Sequence, residues 1–535
     1  MADLATTQIL TEPASLLDRK LQRRPGRTGR VVFLAALAAG LSYIVVQLAR
    51  DLAPVQIASH SAYVLLAVTL TIALGFEFVN GFHDTANAVA TVIYTHSLEP
   101  RLAVVWSGIC NLAGVLLSSG AVAYSVLALL PVELVLKVSS GSGFSMVFAL
   151  LVAAILWNLG TWWFGLPASS SHTLVGSIIG VGLANQWLNP HAGASGLDWD
   201  QAYKVLKALL ISPIVGFVLA AALLLVSKWS FRFPELYEAP KDNQPPPLPI
   251  RALMVLTCTG VSFFHGSNDG QKGMGLIMLI LIGTMPAAYA LNHGLSPADL
   301  QHLLAASAQA ESILDRQPGT PAADPRAALG EYARTHRLAP DTVADLNSMV
   351  HALDRQVRQY GSLSALPAAE QTSVRNDMYV TSEALRLMDK AHALPAASAD
   401  RAALRRYRSS LDRSTQFIPT WVKVAVALAL GLGTMVGWRR IVITVGERIG
   451  KEHLTYAQGA AAGLVAMGTI FAADNFGLPV STTHILSSGV AGTMAANGSG
   501  LHFSTVRNIA AGWIFTLPVA ALLSGVLYYL FRLIG

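Results

Sequence analysis

Apolar residues in this chain come in long blocks, separated by short charged segments, rather than alternating with polar ones. Windows of about 19 residues place a first helix at Val31–Ala49. Five more follow at Ser61–Thr95, Leu102–Leu130, Phe144–Phe164, Leu166–Gln186 and Val205–Val226. A polar, proline-rich connector then runs from Lys228 to Pro249. The blocks resume at Arg251–Leu291, Thr420–Trp438, Ala457–Ala473, Leu478–Ala496 and Val506–Leu530. Crossing a bilayer takes about 20 apolar helical residues, and Ser61–Thr95 is long enough to be bent or broken. Between Asn292 and Gln416 no apolar run reaches that length. There Leu346, Val350, Leu353 and Val357 recur at helical spacing, as do Val374, Met378, Leu385 and Met388, which predicts a small helical bundle outside the bilayer.

Composition strengthens this picture. The chain of 535 residues is 53% apolar and only 13% charged, against about 25% charged in soluble domains; its mean hydropathy is +0.49. The net charge of +6 gathers beside the apolar blocks, at Arg19, Lys20, Arg23, Arg24, Arg27 and Arg30 and again at Arg439 and Arg440. Such placement sets membrane orientation, and no soluble basic domain points to nucleic acid. Cys110 and Cys258, the two cysteines, lie in apolar segments and form neither a disulfide framework nor a zinc motif. The first block follows some thirty residues without a clear cleavage site, so it reads as a retained helix.

The chain also repeats itself. Gly165-Leu166-Pro167-Ala168-Ser169-Ser170-Ser171-His172 returns as Gly477-Leu478-Pro479-Val480-Ser481-Thr482-Thr483-His484. Upstream, Phe82-His83-Asp84-Thr85-Ala86-Asn87 resembles Ser267-Asn268-Asp269-Gly270-Gln271-Lys272. Asp84 precedes Ser169 by 85 residues and Asp269 precedes Ser481 by 212; the difference of 127 is close to the length of the polar stretch. The expected organisation is a basic tail and extra helix (1–56), a first transmembrane repeat (57–227) and a cytoplasmic linker (228–250). The second repeat opens at 251–291, is interrupted by the helical insert at 292–416, and resumes at 417–535. Five segments per half make the repeats inverted, which puts the basic Lys228–Arg251 and Arg439–Lys451 loops in the cytoplasm and the insert outside. The fold class is therefore an all-α polytopic membrane protein of two inverted-topology repeats. Broken helices and re-entrant or short polar-tipped segments are expected to carry a midplane site.

The repeated motifs carry the chemistry. Asp84 and Asp269 are carboxylates at membrane depth, costly unless paired, solvated or bound to an ion. Gly81 permits local unwinding that would bare backbone groups to an ion, although a polar clamp between helices is the plainer alternative. Pro167 and Pro479 suit a helix start, with Ser169, Ser170, Ser171 and Thr173, and Ser481, Thr482 and Thr483, following in the first turn. Hydroxyls, free backbone donors and the helix dipole together make an anion site, whereas ordinary capping needs only one hydroxyl. Gly266–Lys272 is not a phosphate loop, because Gly273 follows Lys272 and no strand precedes it. His83, His172, His265 and His484 with Asp84 and Asp269 could ligate a metal, but without a paired-histidine spacing.

Asn80–Thr95, Phe264–Leu281, both Gly-Leu-Pro strings and Thr434–Arg440 resemble the inorganic phosphate transporter (PiT) family, nearest its bacterial low-affinity Pit type. The likeness runs from about Ser61 onward, insert included, and leaves Met1–Gln56 uncovered. It implies a transporter rather than an enzyme, importing inorganic phosphate as a neutral divalent metal–phosphate complex by proton symport. It also implies a homodimer in the bacterial inner membrane. With a cytoplasmic N-terminus, the C-terminus and insert would be periplasmic. No cofactor is expected to stay bound; H+ travels with phosphate, with Na+ as the alternative, and Mg2+ or another divalent metal as companion. In the family, Asn-Asp is followed by Asn three residues later. Here His83 and Asp84 precede Asn87, and Asn268 and Asp269 precede Lys272. Asp84, Asn87, Asn268 and Asp269 would hold the cation or metal, with His83, Lys272, His172 and His484 tuning the charge. A fixed ammonium at Lys272 disfavours sodium. The alternatives are a divalent metal carrier or channel and a sodium-coupled phosphate symporter.

Overall fold

The computed structural model describes residues 26–53, 60–130, 135, 141–188, 199–240, 244–394 and 397–534, without the side chains of 60–61, 85–87 and 141–142. Most of the basic tail, and the side chain of Asn87, therefore lie outside the described residues. Among those residues every named element is helical, with one isolated bridge between Gly450 and Leu501. The first half comprises α1 (Arg27–Leu52), α2 (His60–Tyr94), α3 (Pro100–Leu117), α4 (Ala121–Leu127), α5 (Gly141–Trp163), α6 (Ser170–Leu188) and α7 (Trp199–Ser230). After α8 (Leu248–Thr284) the insert contributes α9 (Pro297–Leu314), α10 (Pro325–Thr335), α11 (Thr342–Tyr360), α12 (Ala368–Lys390) and α13 (Ser398–Thr415). The chain finishes with α14 (Thr420–Thr434), α15 (Arg439–Ile443), α16 (Tyr456–Asn475), α17 (Thr482–Asn497) and α18 (Phe503–Ile534). Among the described residues eight helices (α1, α2, α3, α5, α7, α8, α16 and α18) are long and apolar enough to cross a membrane.

Packing follows matched partners in the two halves. Helix α3 lies along α8 as α14 lies along α2, and α6 lies along α18 as α17 lies along α7. The crossings are close because glycines meet backbone. Gly81 and Gly433 face each other's helices across α2 and α14, and Gly114 and Gly266 do so across α3 and α8; none leaves room for a Cβ. This corrects the unwinding expected at Gly81. Both α2 and α8 stay helical through the polar motif, and their glycines serve helix contact, the small-residue packing common where lipid gives no hydrophobic drive.

Two predicted segments divide. Leu102–Leu130 breaks after α3, where Ser118 Oγ donates to the Val115 carbonyl at 2.8 Å and Gly120 takes φ +91°. Arg251–Leu291 stops at Thr284 because Pro286, at the start of a further single turn, has no N–H to continue the ladder.

The insert's two stripes, Leu346 to Val357 and Val374 to Met388, bury themselves in one core with Leu303, Leu404 and Leu411. It sits at the end of the bundle where Asp51, closing α1, accepts from Tyr289 at 2.8 Å and Trp421 at 2.9 Å. At the opposite end Arg251 Nε donates to the Ser97 carbonyl at 2.9 Å, and the His502 N–H bonds the Ile449 carbonyl, also at 2.9 Å.

Candidate functional site

Both Gly-Leu-Pro strings form the tip of a helical hairpin, α5–α6 in one half and α16–α17 in the other. Gly165 and Gly477 adopt left-handed φ of +66° and +63°, so each first helix ends in the same glycine-dependent cap. Leu166 N–H reaches back to the Thr161 carbonyl at 3.0 Å, and Leu478 N–H to that of Ala473 at 2.9 Å. The second helices begin at Ser170 and Thr482, three residues beyond the prolines. Ser169 and Ser481 are their N-caps, each Oγ accepting from the N–H three residues on at 3.2 Å. The prolines are thus not first helical residues: they shape the extended approach to the cap, and the Pro167 carbonyl accepts from Trp513 Nε1 at 2.8 Å.

The two tips touch each other and two helices. Ser171 Oγ donates to the Val480 carbonyl at 2.9 Å. From α2, Asp84 accepts from Ser170 on one tip and from Thr483 on the other, the latter at 2.6 Å. His83 lies 3.2 Å from Asp84 Oδ1 and, through its other nitrogen, 3.0 Å from Thr161. From α8, Asp269 pairs with Lys272 at 2.6 Å, and the Lys272 ammonium also reaches Ser171 and the Val480 carbonyl. Ser170 lies 3.3 Å from Asp269 as well, which makes it a bridge between the two carboxylates. Asp84, Asp269 and Lys272 are each no more than 3% exposed. Charges this deep persist only when well paired and hydrogen-bonded.

Residues 80–524, the stretch that contains every one of these groups, match the model of the phosphate transporter family. The chain belongs to the phosphate transporter family. Among known members, the low-affinity inorganic phosphate transporter PitA of Escherichia coli K12 is 42% identical over 486 residues, covering 87% of this chain and 96% of its own. PitB of the same strain is also 42% identical, over 489 residues and with the same coverage. A low-affinity inorganic phosphate transporter of Buchnera aphidicola from Acyrthosiphon pisum is 37% identical over 496 residues, 88% of this chain and 97% of its own. A solved structure, the sodium-dependent phosphate transporter, superposes with a TM-score of 0.48 at 18% identity, covering 88% of this chain and 100% of that one. The protein is a multi-pass membrane transporter of this family and not an enzyme.

In this member the predicted residues divide by surroundings. Ser170, Ser171, Thr483, Asp84, Asp269, His83 and Lys272 converge as described. Thr482 Oγ is buried and has no hydrogen-bond partner among the described residues. Thr173 turns back into its own hairpin, 2.9 Å from both Asn158 Oδ1 and the Ser169 carbonyl. Asn268 clamps the second tip, with Nδ2 donating to the Leu478 carbonyl at 3.1 Å and Oδ1 accepting from Val480 N–H at 3.4 Å. His172 and His484 meet as tilted rings with centroids 4.4 Å apart, and Trp513 stacks on His484 at 4.1 Å.

Three of the six side chains named as possible metal ligands come together. Ligand atoms of Asp84, His265 and Asp269 all lie within 4.8 Å of one another. His265 and Asp269 stand one helical turn apart on α8, at i and i+4, whereas no motif had pointed to Glu77 or Asp474. His265 is held by Asn111 at 2.8 Å. Glu77, two helical turns before Asp84, has both carboxylate oxygens buried without a hydrogen-bond partner among the described residues. Asp474, beside the second tip, accepts from Ser267 at 2.6 Å and Gln271 at 2.7 Å.

Proposed function

We propose that the protein imports inorganic phosphate by secondary active transport, driven by protons, with the anion travelling as a divalent metal complex. One observation carries this reading: hydroxyl-bearing helix starts from both halves meet on the same buried carboxylates. Helices α6 and α17 aim their positive ends at that point, the arrangement by which split helices hold anions. Ser170 and Thr482 are the phosphate donors on this reading, with Ser171 and Thr483 beside them and Ser169 and Ser481 setting the turns. Asp84, His265 and Asp269 would take the companion metal. Two carboxylate oxygens suit Mg2+, whereas the imidazole leans toward a transition metal. Lys272 occupies the place where a sodium ion would need an oxygen ligand, which favours protons over sodium.

The reading includes inverted repeats. The α16–α17 hairpin opens at the end that holds Arg251 and Ile449, while α5–α6 opens toward the insert, where Gln186 lines the same cavity as Arg334 and Arg375. With basic loops inside, the insert faces the periplasm of a bacterial inner membrane, and two copies form the working unit.

Proteoliposome uptake of radiolabelled phosphate tests the whole. Accumulation should follow an imposed pH gradient, rise with Mg2+ and ignore Na+. Strict sodium dependence would overturn the coupling, and no phosphate uptake under any gradient would overturn the substrate. The Asp84–His265–Asp269 triad also admits a metal carrier; metal uptake that needs no phosphate would establish it instead.

A further inference from the structure

Between the insert and the transmembrane helices lies a cavity of about 930 Å³. Its floor is the end of the bundle: Tyr124 and Ser125 on α4, Gln186 where α6 ends, and Lys204 on α7. Its roof is α12, α13 and the end of α10. Among the described residues seven lysines and arginines line it against four aspartates and glutamates. Five of these cations are already engaged: Arg386 with Glu383, Lys390 with Asp200, Arg405 with Asp389, Arg408 with Asp412 and Arg334 with Glu331. Arg375 is different. It is 6% exposed, yet among the described residues no carboxylate pairs with it. Its Nη1 donates to the Val135 carbonyl at 2.8 Å and to Asn376 Oδ1 at 3.1 Å. The guanidinium lies 5.3 Å from the Tyr379 ring centroid, and Nε has no hydrogen-bond partner among the described residues. Burial draws its pKa down only to about 10, so the charge persists at neutral pH. A buried guanidinium without a counter-charge costs several kcal/mol, and its planar donors match a phosphate oxygen pair.

We propose that this cavity is an anion antechamber, in which Arg375 and the surplus of cations around it bind a phosphate oxyanion ahead of the central site. The proposal rests on the outward placement of the insert argued above. A like-signed, low-dielectric cleft concentrates its counter-ion and speeds capture. It thereby gives the insert a task that the transmembrane helices do not need for transport itself. The same chemistry would accept either free phosphate or the headgroup phosphate of an anionic lipid, since the cavity opens at the membrane surface.

The test uses the full-length protein in nanodiscs of neutral phosphatidylcholine, with radiolabelled inorganic phosphate as probe. The unmodified protein should bind one phosphate more per chain than Arg375→Gln. In proteoliposomes at low ionic strength Arg375→Gln should raise the phosphate KM by about threefold or more without slowing turnover. Arg375→Lys should recover part of the affinity. Added salt should raise the KM of the unmodified protein and leave that of Arg375→Gln nearly unchanged. Equal stoichiometry and equal KM in the two proteins would overturn the proposal. So would phosphate binding that is absent in neutral nanodiscs while phosphatidylglycerol is retained through Arg375, because the site would then be a lipid site. Should Arg375→Gln fail to fold, Lys204→Gln with Arg408→Gln removes two cations from the lining; an unaltered salt dependence there would sink the idea. Stoichiometric binding is read without transport, so it stands or falls separately from the import reading.

Discussion

Lys272 touches three elements at once: its own helix through Asp269, the first hairpin tip through Ser171, and the second through the Val480 carbonyl. One buried ammonium therefore fixes both tips relative to α8, a role that no spacing rule could have suggested. Breaking a buried ion pair costs about 3–5 kcal/mol, so Lys272→Asn should lower phosphate uptake by more than tenfold. If the ammonium is what excludes sodium, the same variant should show sodium-stimulated uptake; uptake indifferent to sodium would remove that argument. The hydroxyl runs were legible as a kind of chemistry, but the individual duties were not. Capping absorbs Ser169 and Ser481, and helical register turns Thr173 toward Asn158. Hydrogen bonds to charged groups contribute about 1.5–3 kcal/mol each. Ser170→Ala with Thr482→Ala should thus raise the phosphate KM by at least about tenfold, while Thr173→Ala should change it far less. Equal effects of the two replacements would mean that the hydroxyls act through folding alone.

At the scale of helices, the apolar blocks gave the elements readily, since membrane length and hydropathy leave few choices. What the sequence left ambiguous was the glycines. Gly81 and Gly266 sit inside polar motifs, where unwinding and close helix contact leave the same trace. The structure resolves them by proximity: Gly81 faces the Leu430 carbonyl and Gly266 the backbone of Asn111. Gly266→Val should therefore force α3 and α8 apart. Overpacking a well-fitted interior costs about 1–3 kcal/mol, and a clash with backbone belongs at the upper end. A fall in thermal midpoint and in the yield of detergent-extracted protein would show it. Gly468 on α16 meets nothing within 4 Å, so Gly468→Ala should be neutral, or stabilising by about 0.5–1 kcal/mol. Equal behaviour of the two variants would mean that the close contact of Gly266 with α3 does not hold the two helices together.

For the molecule as a whole the open quantity is orientation, which no contact inside the protein can fix by itself. Charge in a long loop says little about its side of the membrane, so the insert's own composition is silent. The argument runs through neighbours instead. Arg27 and Arg30, the described part of the basic tail, lie in the opening turn of α1, whose far end, at Asp51, meets Tyr289 and Trp421 beside the insert. Arg251, Ile449 and Lys451 gather at the opposite end, while Arg439 and Arg440, expected in a loop there, instead open a helix beside the first hairpin tip, where Arg440 donates to the Trp163 carbonyl. If cationic loops stay in the cytoplasm, the insert is outside. Ser364 lies exposed in the insert and Glu452 exposed at the other end, while Cys110 and Cys258 are both buried and should give little background. Ser364→Cys should react with a membrane-impermeant maleimide in cells whose outer membrane has been permeabilised, and Glu452→Cys only after lysis. The reverse pattern would invert the molecule. It would place the Arg375 cavity on the cytoplasmic side, where it could gather phosphate on its way out but not on its way in.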